Sequence, residues 1–314
     1  MKIYRNLSEF SGVKTIATLG TFDGVHIGHR KIVDRLILNA AKEHCESVIL
    51  TFFPHPRMVL QQNSEIKLLN TIQEKAFLLD RLGLDHLIVH PFDEEFSKLS
   101  AEEFVRDVLV DKLNICKIII GHDHRFGKNR SANIDDLVLY GKQYGFEVEQ
   151  ISAQEINEVA VSSTKIRSAI SNGDIALANE YLGYNYLISG KVIAGKQLGR
   201  TIGFPTANIQ IPEDYKHIPK QGVYIVSAVI DNSEVYGMMN IGTNPTVNGT
   251  NQTIEIYFLN YDGNLYGTDL QISVYERLRD ELKFESVEAL KKQLEMDRQN
   301  TISYFALKGR QDIK

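Results

Sequence analysis

Apolar and polar positions follow one pattern in the first half of this chain and a different pattern in the second half. The change of pattern predicts two domains. From about Thr15 to about Gly183, short apolar runs such as 15–19 and 48–53 alternate with segments of helical spacing, of which 28–43 is the first. Strands that alternate with helices are typical of βαβ units, which form a parallel sheet covered on both faces. The first half is therefore predicted to be an α/β domain.

The same pattern predicts the remaining elements of this half. They are helices over 71–82, 101–113 and 135–144 and strands over 87–89, 117–120 and 147–151.

From Tyr184 onward the strand-like runs follow one another without helices between them. These runs are 186–193, 222–230, 235–241, 253–259 and 270–275. Turn sequences such as Asp231-Asn-Ser separate them, which is typical of an antiparallel barrel or sandwich. A final apolar stripe begins after Ser286, a residue suited to cap a helix, so one helix is predicted to close the chain.

Composition and charge narrow the class of protein. The chain has 314 residues, 43% of them hydrophobic and 24% charged, which suits two soluble domains. Its net charge of −5 argues against holding duplex nucleic acid by bulk electrostatics. Two cysteines without metal-ligand spacing make a zinc site or a disulfide framework unexpected. Neither a signal peptide nor a membrane span is expected, and the expected location is the cytoplasm.

The most informative loop lies where the first strand turns into the first helix. It contains His26 and His29, which are three residues apart and can point to the same side. Ligands bind at the carboxyl ends of parallel strands, and a helix N-terminus suits phosphate. Gly20, Gly24 and Gly28 allow close approach of the backbone. A phosphate site is therefore predicted here, the alternative being a glycine-rich loop with two solvated histidines.

A second cluster of phosphate-binding residue types opens a helix near residue 163. Ser163 and Thr164 offer hydroxyl donors, and Arg167 offers positive charge. Taken alone, this is as well explained by a capped helix start. Together with the histidine loop, it is predicted to form another wall of one nucleotide site.

The second half contains no Walker A sequence but has a glycine-rich segment over 195–208. Thr206 and Asn208 lie two apart, which puts both on one face of an extended segment and within reach of one Mg²⁺ held mainly by nucleotide phosphates. The alternative is a Gly/Pro turn whose Thr and Asn serve only local hydrogen bonds.

These motifs carry a resemblance that covers about 15–294. GTFDGVHIGHR over 20–30 and SSTKIR over 162–167 are typical of the HxGH nucleotidyltransferase superfamily. They are similar to the adenylyltransferase module of the bacterial bifunctional riboflavin kinase/FAD synthetase family, as are segments 51–56 and 121–130. GRTIGFPTANI over 199–209 resembles the riboflavin kinase module of the same family.

The resemblance implies a Rossmann-like nucleotidyltransferase domain over 1–183 and a small antiparallel β-barrel kinase domain with a terminal helix over 184–314. It implies that ATP phosphorylates riboflavin to FMN, and that a second ATP adenylylates FMN to FAD with release of pyrophosphate. Mg²⁺ is the implied metal ion. Small-molecule substrates are the implied partners, self-association is left open, and neither nucleic acid nor a membrane is expected.

The resemblance also implies residue roles. Glu255 stands at the position of the family's catalytic glutamate, which takes the proton of the ribityl hydroxyl. His26 and His29 are expected to act in adenylyl transfer, and Thr206 and Asn208 to hold the metal. The residues expected to bind nucleotide or flavin are Gly20, Asp23, Gly24, Gly28, Asp123, Ser163, Thr164, Arg167, Gly195, Gly203, Thr206, Asn208 and Arg279.

The chain departs from the family pattern at a few positions. The family commonly has Phe at His124, Gly at Asn129 and Ala132, His at Tyr257 and Asp at Asn260. Two rival hypotheses therefore stay open. One is an adenylyltransferase with a degenerate kinase half, and the other is a flavin or nucleotide sensor without activity.

Overall fold

The computed structural model of the chain describes residues 1–61, 65–121, 125–152, 161–195, 198–246 and 249–309. Its internal contacts divide the chain into two compact units, Met1–Ser163 and Thr164–Lys314. The expected domain boundary at Gly183 lies inside the second unit and stays a prediction.

The first unit is built on a six-stranded sheet in which every strand pair is parallel. Its strands are β1 Lys2–Tyr4, β2 Thr15–Leu19, β3 Glu46–Phe52, β4 His86–His90, β5 Ile115–Gly121 and β6 Glu147–Ile151. The order β1-β4-β3-β2-β5-β6 places β2 between β3 and β5, where the strand order reverses. This confirms the predicted α/β fold and makes the loop after β2 a switch-point loop.

Helices connect these strands. They are α1 Ile27–Glu43, α2 Pro56–Leu60, α3 Ile72–Leu82, α4 Ala101–Glu103, which runs into a π-helical segment Phe104–Val110, and α5 Ile134–Tyr144. All five residues of β2 are buried, as expected of a central strand covered on both faces. The pattern did not predict β1 or α2, which are short.

The second unit begins with two helices and continues as a closed antiparallel barrel. Its elements are α6 Ser163–Asn172, α7 Ile175–Leu182, β7 Tyr186–Ile193, α8 Leu198–Thr201, β8 Ala207–Gln210, β9 Gly222–Ile230, β10 Ser233–Thr246, β11 Gly249–Phe258, β12 Asp269–Arg279 and α9 Val287–Leu307. The barrel order is β10-β11-β8-β7-β12-β9. The predicted barrel with a terminal helix is thus confirmed, while β8 was not predicted.

The terminal helix is attached to the barrel by one large side chain. Phe305 of α9 is fully buried and packs with Ile225 of β9 and Tyr275 of β12. Its ring centroid lies 5.0 Å from that of Tyr275, in edge-to-face geometry. Burying an aromatic ring in this way contributes about 2–3 kcal/mol, so α9 is an integral part of the second unit.

Candidate functional sites

The predicted histidine pair lies at the start of α1, directly after the loop that follows β2. His26 is the N-cap residue, and its Nδ1 accepts a hydrogen bond from the backbone N–H of His29 at 3.4 Å. The two imidazole rings are stacked with centroids 3.7 Å apart. Phe22 lies against the other side, with its ring centroid 5.0 Å from that of His29. The two imidazole rings therefore form one surface at the carboxyl end of the sheet.

Burial sets the protonation state of both rings. It lowers the pKa of His26 to about 4. The pKa of His29 is held well below its usual range by burial first, and then by the charges of His26 and Lys75. Both imidazoles are therefore neutral at pH 7. Because Nδ1 of His26 accepts, its Nε2 carries the proton, so this ring can offer a neutral N–H donor to a phosphate oxygen but no positive charge.

The loop before α1 is tightly organised around Asp23. Its side chain is buried, and Oδ1 accepts a hydrogen bond from the backbone N–H of Leu69 at 2.8 Å. The hydroxyl of Ser163 donates to the Asp23 carbonyl at 2.9 Å. Asp23 thus orders the loop, and its expected part in nucleotide binding stays a prediction. Gly24 has φ 90°, a backbone conformation that favours glycine.

Other predicted residues of the first site are placed as follows. A Cβ at Gly20 would lie 3.1 Å from the Phe22 ring, and Gly28 is buried within α1. Thr164 is exposed and Arg167 half-buried on α6, both in the second unit. Asp123 and the departure His124 lie outside the described residues. Their roles, like those of the whole predicted site, stay predictions.

The structure adds Lys75, which the sequence did not single out. Lys75 lies on α3 and is 4% exposed, and its Nζ donates to the Thr21 carbonyl at 2.7 Å. Burial lowers its pKa to about 8, although the charge of Asp23 acts in the opposite direction. One signal was available, since Lys75 stands three residues after Ile72 and four before Leu79, inside the apolar stripe of a predicted helix.

The second site is a cavity of about 440 Å³ between the barrel and α9. Its lining is mostly apolar and aromatic: Ile202, Phe204, Val223, Met238, Tyr257, Leu282, Phe284, Val287, Leu290 and Leu294. Thr206 and Glu255 face the same cavity, where the Thr206 hydroxyl donates to Glu255 Oε2 at 3.1 Å. The cavity thus combines a surface suited to a flat aromatic ligand with a carboxylate and a hydroxyl.

Asn208 lies on the same pair of strands. It is directly opposite Glu255 in the pairing of β8 with β11. Asn208 lines a second cavity of about 480 Å³, together with Ile193, Ile254, Asp214 and Lys216. A Cβ at Gly195 would overlap the Asn208 side chain, so glycine there leaves room for the amide. Gly203, with φ 88°, sits in the turn before Thr206.

Arg279 lines the cavity of about 440 Å³, but its guanidinium is bound by Asp297 of α9. Nε and Nη2 donate to both carboxylate oxygens of Asp297, and Nη1 donates to the Asp280 carbonyl. The guanidinium carbon lies 6.0 Å from the centre of the Phe284 ring. The strongest contact of Arg279 is therefore with the protein's own helix, a partner that the sequence did not indicate.

The departures from the family pattern have local structural reasons. Tyr257 packs edge-to-face on Phe204, with centroids 5.1 Å apart in the cavity wall. Asn129 and Asn260 have φ 55° and φ 54°, and asparagine adopts this left-handed region more readily than most residues. Ala132 is buried and pairs with Phe126 in an isolated bridge.

Two family models match the chain, one for each half. The model described as FAD synthetase matches residues 11–165, and the model described as riboflavin kinase matches residues 182–305.

Full-length relatives are similar over both halves. A protein of Listeria monocytogenes named bifunctional riboflavin kinase/FMN adenylyltransferase is 39% identical over 300 residues, covering 95% of this chain and 95% of its own length. The protein of the same name from Escherichia coli K12 is 34% identical over 311 residues, covering 98% of this chain and 99% of its own.

A solved structure shares the fold over the same extent. The crystal structure of a protein described as a macrolide-efflux protein from Streptococcus pneumoniae has a TM-score of 0.86 and 29% identity, covering 96% of this chain and 98% of that one. Within the ranges that the structure describes for the present chain, none of the helices has the length and apolar character needed to cross a bilayer.

Proposed function

Because this chain belongs to the family of bifunctional riboflavin kinase/FMN adenylyltransferases, we propose that the two sites described above carry the two reactions of that family. The chain is an enzyme that phosphorylates riboflavin with ATP to give FMN. It then adenylylates FMN with a second ATP to give FAD and pyrophosphate. The kinase reaction is assigned to the barrel and adenylyl transfer to the parallel-sheet unit.

The contact between Thr206 and Glu255 at the rim of an aromatic cavity carries the assignment of the kinase site. The isoalloxazine ring of riboflavin is flat and aromatic, and it suits a cavity lined by Phe204, Tyr257 and Phe284. With the ring there, the ribityl chain extends toward Glu255. The carboxylate then accepts the proton of the ribityl 5′-hydroxyl as that oxygen attacks the γ-phosphorus of ATP.

The nucleotide is assigned to the cavity on the other side of Asn208. This cavity is adjacent to Glu255 across the β8–β11 pair, and its lining includes the buried Lys216, whose Nζ donates to the Leu187 carbonyl at 2.6 Å. Donor and acceptor then approach from the two cavities that the cross-strand partners Glu255 and Asn208 line. Such placement aligns the attacking oxygen with the phosphorus, which is most of what phosphoryl transfer needs from a protein.

The oxygen donors beside Glu255 fit Mg²⁺. Thr206 offers a hydroxyl and Asn208 an amide oxygen, and glycine at position 195 leaves space at the Asn208 side chain. Among the described residues, no group of three or more His, Cys, Asp or Glu side chains is arranged to hold a metal. Few protein ligands are expected when nucleotide phosphates supply the rest. When bound, Mg²⁺ neutralises charge on the transferring phosphate.

Adenylyl transfer in the first unit needs no general base. The attacking group is the FMN phosphate, which is already anionic at neutral pH. The neutral rings of His26 and His29 serve as hydrogen-bond donors to the phosphates of ATP. Ser163, whose hydroxyl contacts the loop at Asp23, lies close to that surface. Phosphate contacts of Thr164 and Arg167 are part of the same proposal.

We further propose that the enzyme works in the cytoplasm on small molecules alone, since its net charge of −5 gives no general attraction to nucleic acid.

One reaction mixture tests the proposal. Purified protein is incubated with riboflavin, ATP and MgCl₂, and flavins are separated by chromatography over time. FMN should appear first and FAD later, with pyrophosphate released in step with FAD. A parallel mixture with excess EDTA should stop both steps. Formation of neither flavin would contradict the proposal, and full activity with EDTA would contradict the part played by Mg²⁺.

A further inference from the structure

The turn that leads into α1 has an unusual backbone. Phe22 and Val25 have φ 46° and φ 37°. Positive φ is costly for bulky side chains and above all for a β-branched one such as valine. A conformation of this kind is strained and persists only where surrounding contacts hold it. The turn before His26 therefore depends on its neighbours.

Two side chains donate hydrogen bonds to the carbonyl oxygen of Thr21, the first residue of this turn. Lys75 Nζ donates to the Thr21 carbonyl at 2.7 Å from α3, and Thr51 Oγ1 donates to the same oxygen at 3.2 Å from β3. A charged donor makes the stronger hydrogen bond of the two. Since Phe22 follows Thr21 directly and its ring packs on His29, fixing the Thr21 carbonyl also fixes the wall against which His29 lies.

Lys75 supplies a positive charge near the histidine loop, where both imidazoles are neutral. Its side chain is almost fully buried, yet the only hydrogen bond of its ammonium within the described residues is to the Thr21 carbonyl. Asp23 in the turn and His29 on α1 are the titratable groups whose charges interact with that of Lys75, and the charge of Lys75 lowers the pKa of His29. Thr51 of β3, which shares the acceptor of Lys75, is uncharged, and on α3 itself the Glu74 carboxylate accepts from the backbone N–H of Thr71.

We propose that Lys75 is a positioning residue for adenylyl transfer: its ammonium group holds the strained turn at Thr21 and so keeps His26 and His29 in their stacked arrangement. This inference rests on the proposed assignment of adenylyl transfer to the histidine loop. It adds a residue outside both sequence motifs to the machinery of that site. It also predicts that the site loses its arrangement when Lys75 loses its proton.

The pH dependence follows from burial. Because burial lowers the pKa of Lys75 to about 8, the group releases its proton within the range in which the enzyme can be assayed. Both histidines of the loop are already neutral there. The rate of FAD formation from FMN should therefore fall by about twentyfold between pH 7.5 and pH 9.5.

The test uses the full chain with three substitutions. Lys75→Arg keeps the charge above pH 9.5, so its FAD formation should show no fall over this range. Lys75→Met removes the charge and the donor, and its rate should be about 10² below that of the parent at pH 7.5 and should not change between pH 7.5 and pH 9.5. Lys42→Met, at the exposed distal end of α1, is the matched control and should behave like the parent. FMN formation from riboflavin, measured in the same samples, should be unaffected in all of them.

A titration observed by NMR measures the pKa of Lys75 independently of activity. The protein is labelled in its lysine side chains, and the resonance missing from Lys75→Met identifies Lys75. It should titrate near pH 8. Titration above pH 10, or equal falls in rate for the parent and Lys75→Arg, overturns the inference. A parent protein that forms no FAD from FMN at any pH contradicts the proposed function instead, and the NMR result still decides the state of Lys75.

Discussion

Arg279 and Asp297 form a two-pronged ion pair that joins the last strand of the barrel to the terminal helix. Nε of Arg279 lies 3.0 Å from each carboxylate oxygen of Asp297, and Nη2 lies 2.6 Å from Oδ2. Asp297 is 1% exposed and also accepts from Gln293 at 2.9 Å. Both the strand end and the helix line the cavity assigned to riboflavin, so the pair fixes the position of that cavity's outer wall.

Asp297→Asn should loosen this wall. It leaves a nearly buried guanidinium without its counter-charge, which costs about 3 kcal/mol in the free energy of unfolding. The KM for riboflavin should rise at least tenfold, because the helix no longer holds its place over the cavity. Glu295→Gln breaks an exposed pair with Arg298 on the same helix and should change stability by at most about 0.5 kcal/mol. Urea unfolding and steady-state kinetics measure both; equal effects of the two substitutions would contradict this role of the pair.

Glu255→Gln tests the proposed base. Glutamine keeps the size and can still accept from Thr206, but it cannot take a proton. FMN formation should fall by roughly 10²–10⁴, the usual scale for a general base, with little change in riboflavin binding. FAD formation from added FMN should proceed at the parent rate. If Glu255→Gln forms FMN at full rate, the base lies elsewhere.

His29→Ala removes one of the two stacked rings. A single preorganised donor to a transition state is worth about 10²–10³ in rate, so FAD formation should drop by that factor. FMN should then accumulate from riboflavin, because the barrel is unchanged. An equal loss of both activities would point to a folding defect in place of a lost phosphate contact.

Acidification should destabilise the first unit through its buried histidines. The pKa of His26 is about 4 when folded and 6.5 in its ordinary state, so only the unfolded chain takes up this proton between those values. Stability is therefore full above pH 6.5 and falls toward pH 4, by up to about 3 kcal/mol for His26. Urea unfolding at pH 7 and pH 5 should show a smaller difference in His26→Gln than in the parent. His44→Asn, at an exposed helix end with positive φ, should leave the difference unchanged.

The two halves should be separable, and the position of the cut should matter. A fragment starting at residue 184 follows the expected domain boundary and should form FMN but no FAD. A fragment starting at residue 164 should be more stable by about 1–3 kcal/mol, because Asn179 of α7 donates to the carbonyls of Val274 and Tyr275. Thermal unfolding and kinase assays compare the two. Equal stability would show that α6 and α7 are dispensable to the barrel.

The sequence by itself determined the architecture of both halves and the position of both motifs. A short, continuously buried run such as Thr15–Leu19 differs from the longer helix after it, which buries only one face. Local chemistry also placed His26 at a helix start and grouped Thr206 with Asn208. Short elements such as β8 were not predicted, because four residues carry too little pattern to distinguish a strand from a turn.

Only the tertiary structure decided which distant residues meet. Thr206 contacts Glu255 because β8 pairs with β11. The two residues are 49 positions apart, and neither segment by itself shows that the two strands pair. Arg279 faces Asp297, and not only the cavity, because Phe305 fixes how α9 lies on the barrel. Lys75 is buried under the Thr21 carbonyl because α3 packs beside a turn that precedes it by some 50 residues. Burial and partner choice depend on the whole packed environment, so the protonation of His26, His29 and Lys75 could be assigned only once the chain was folded.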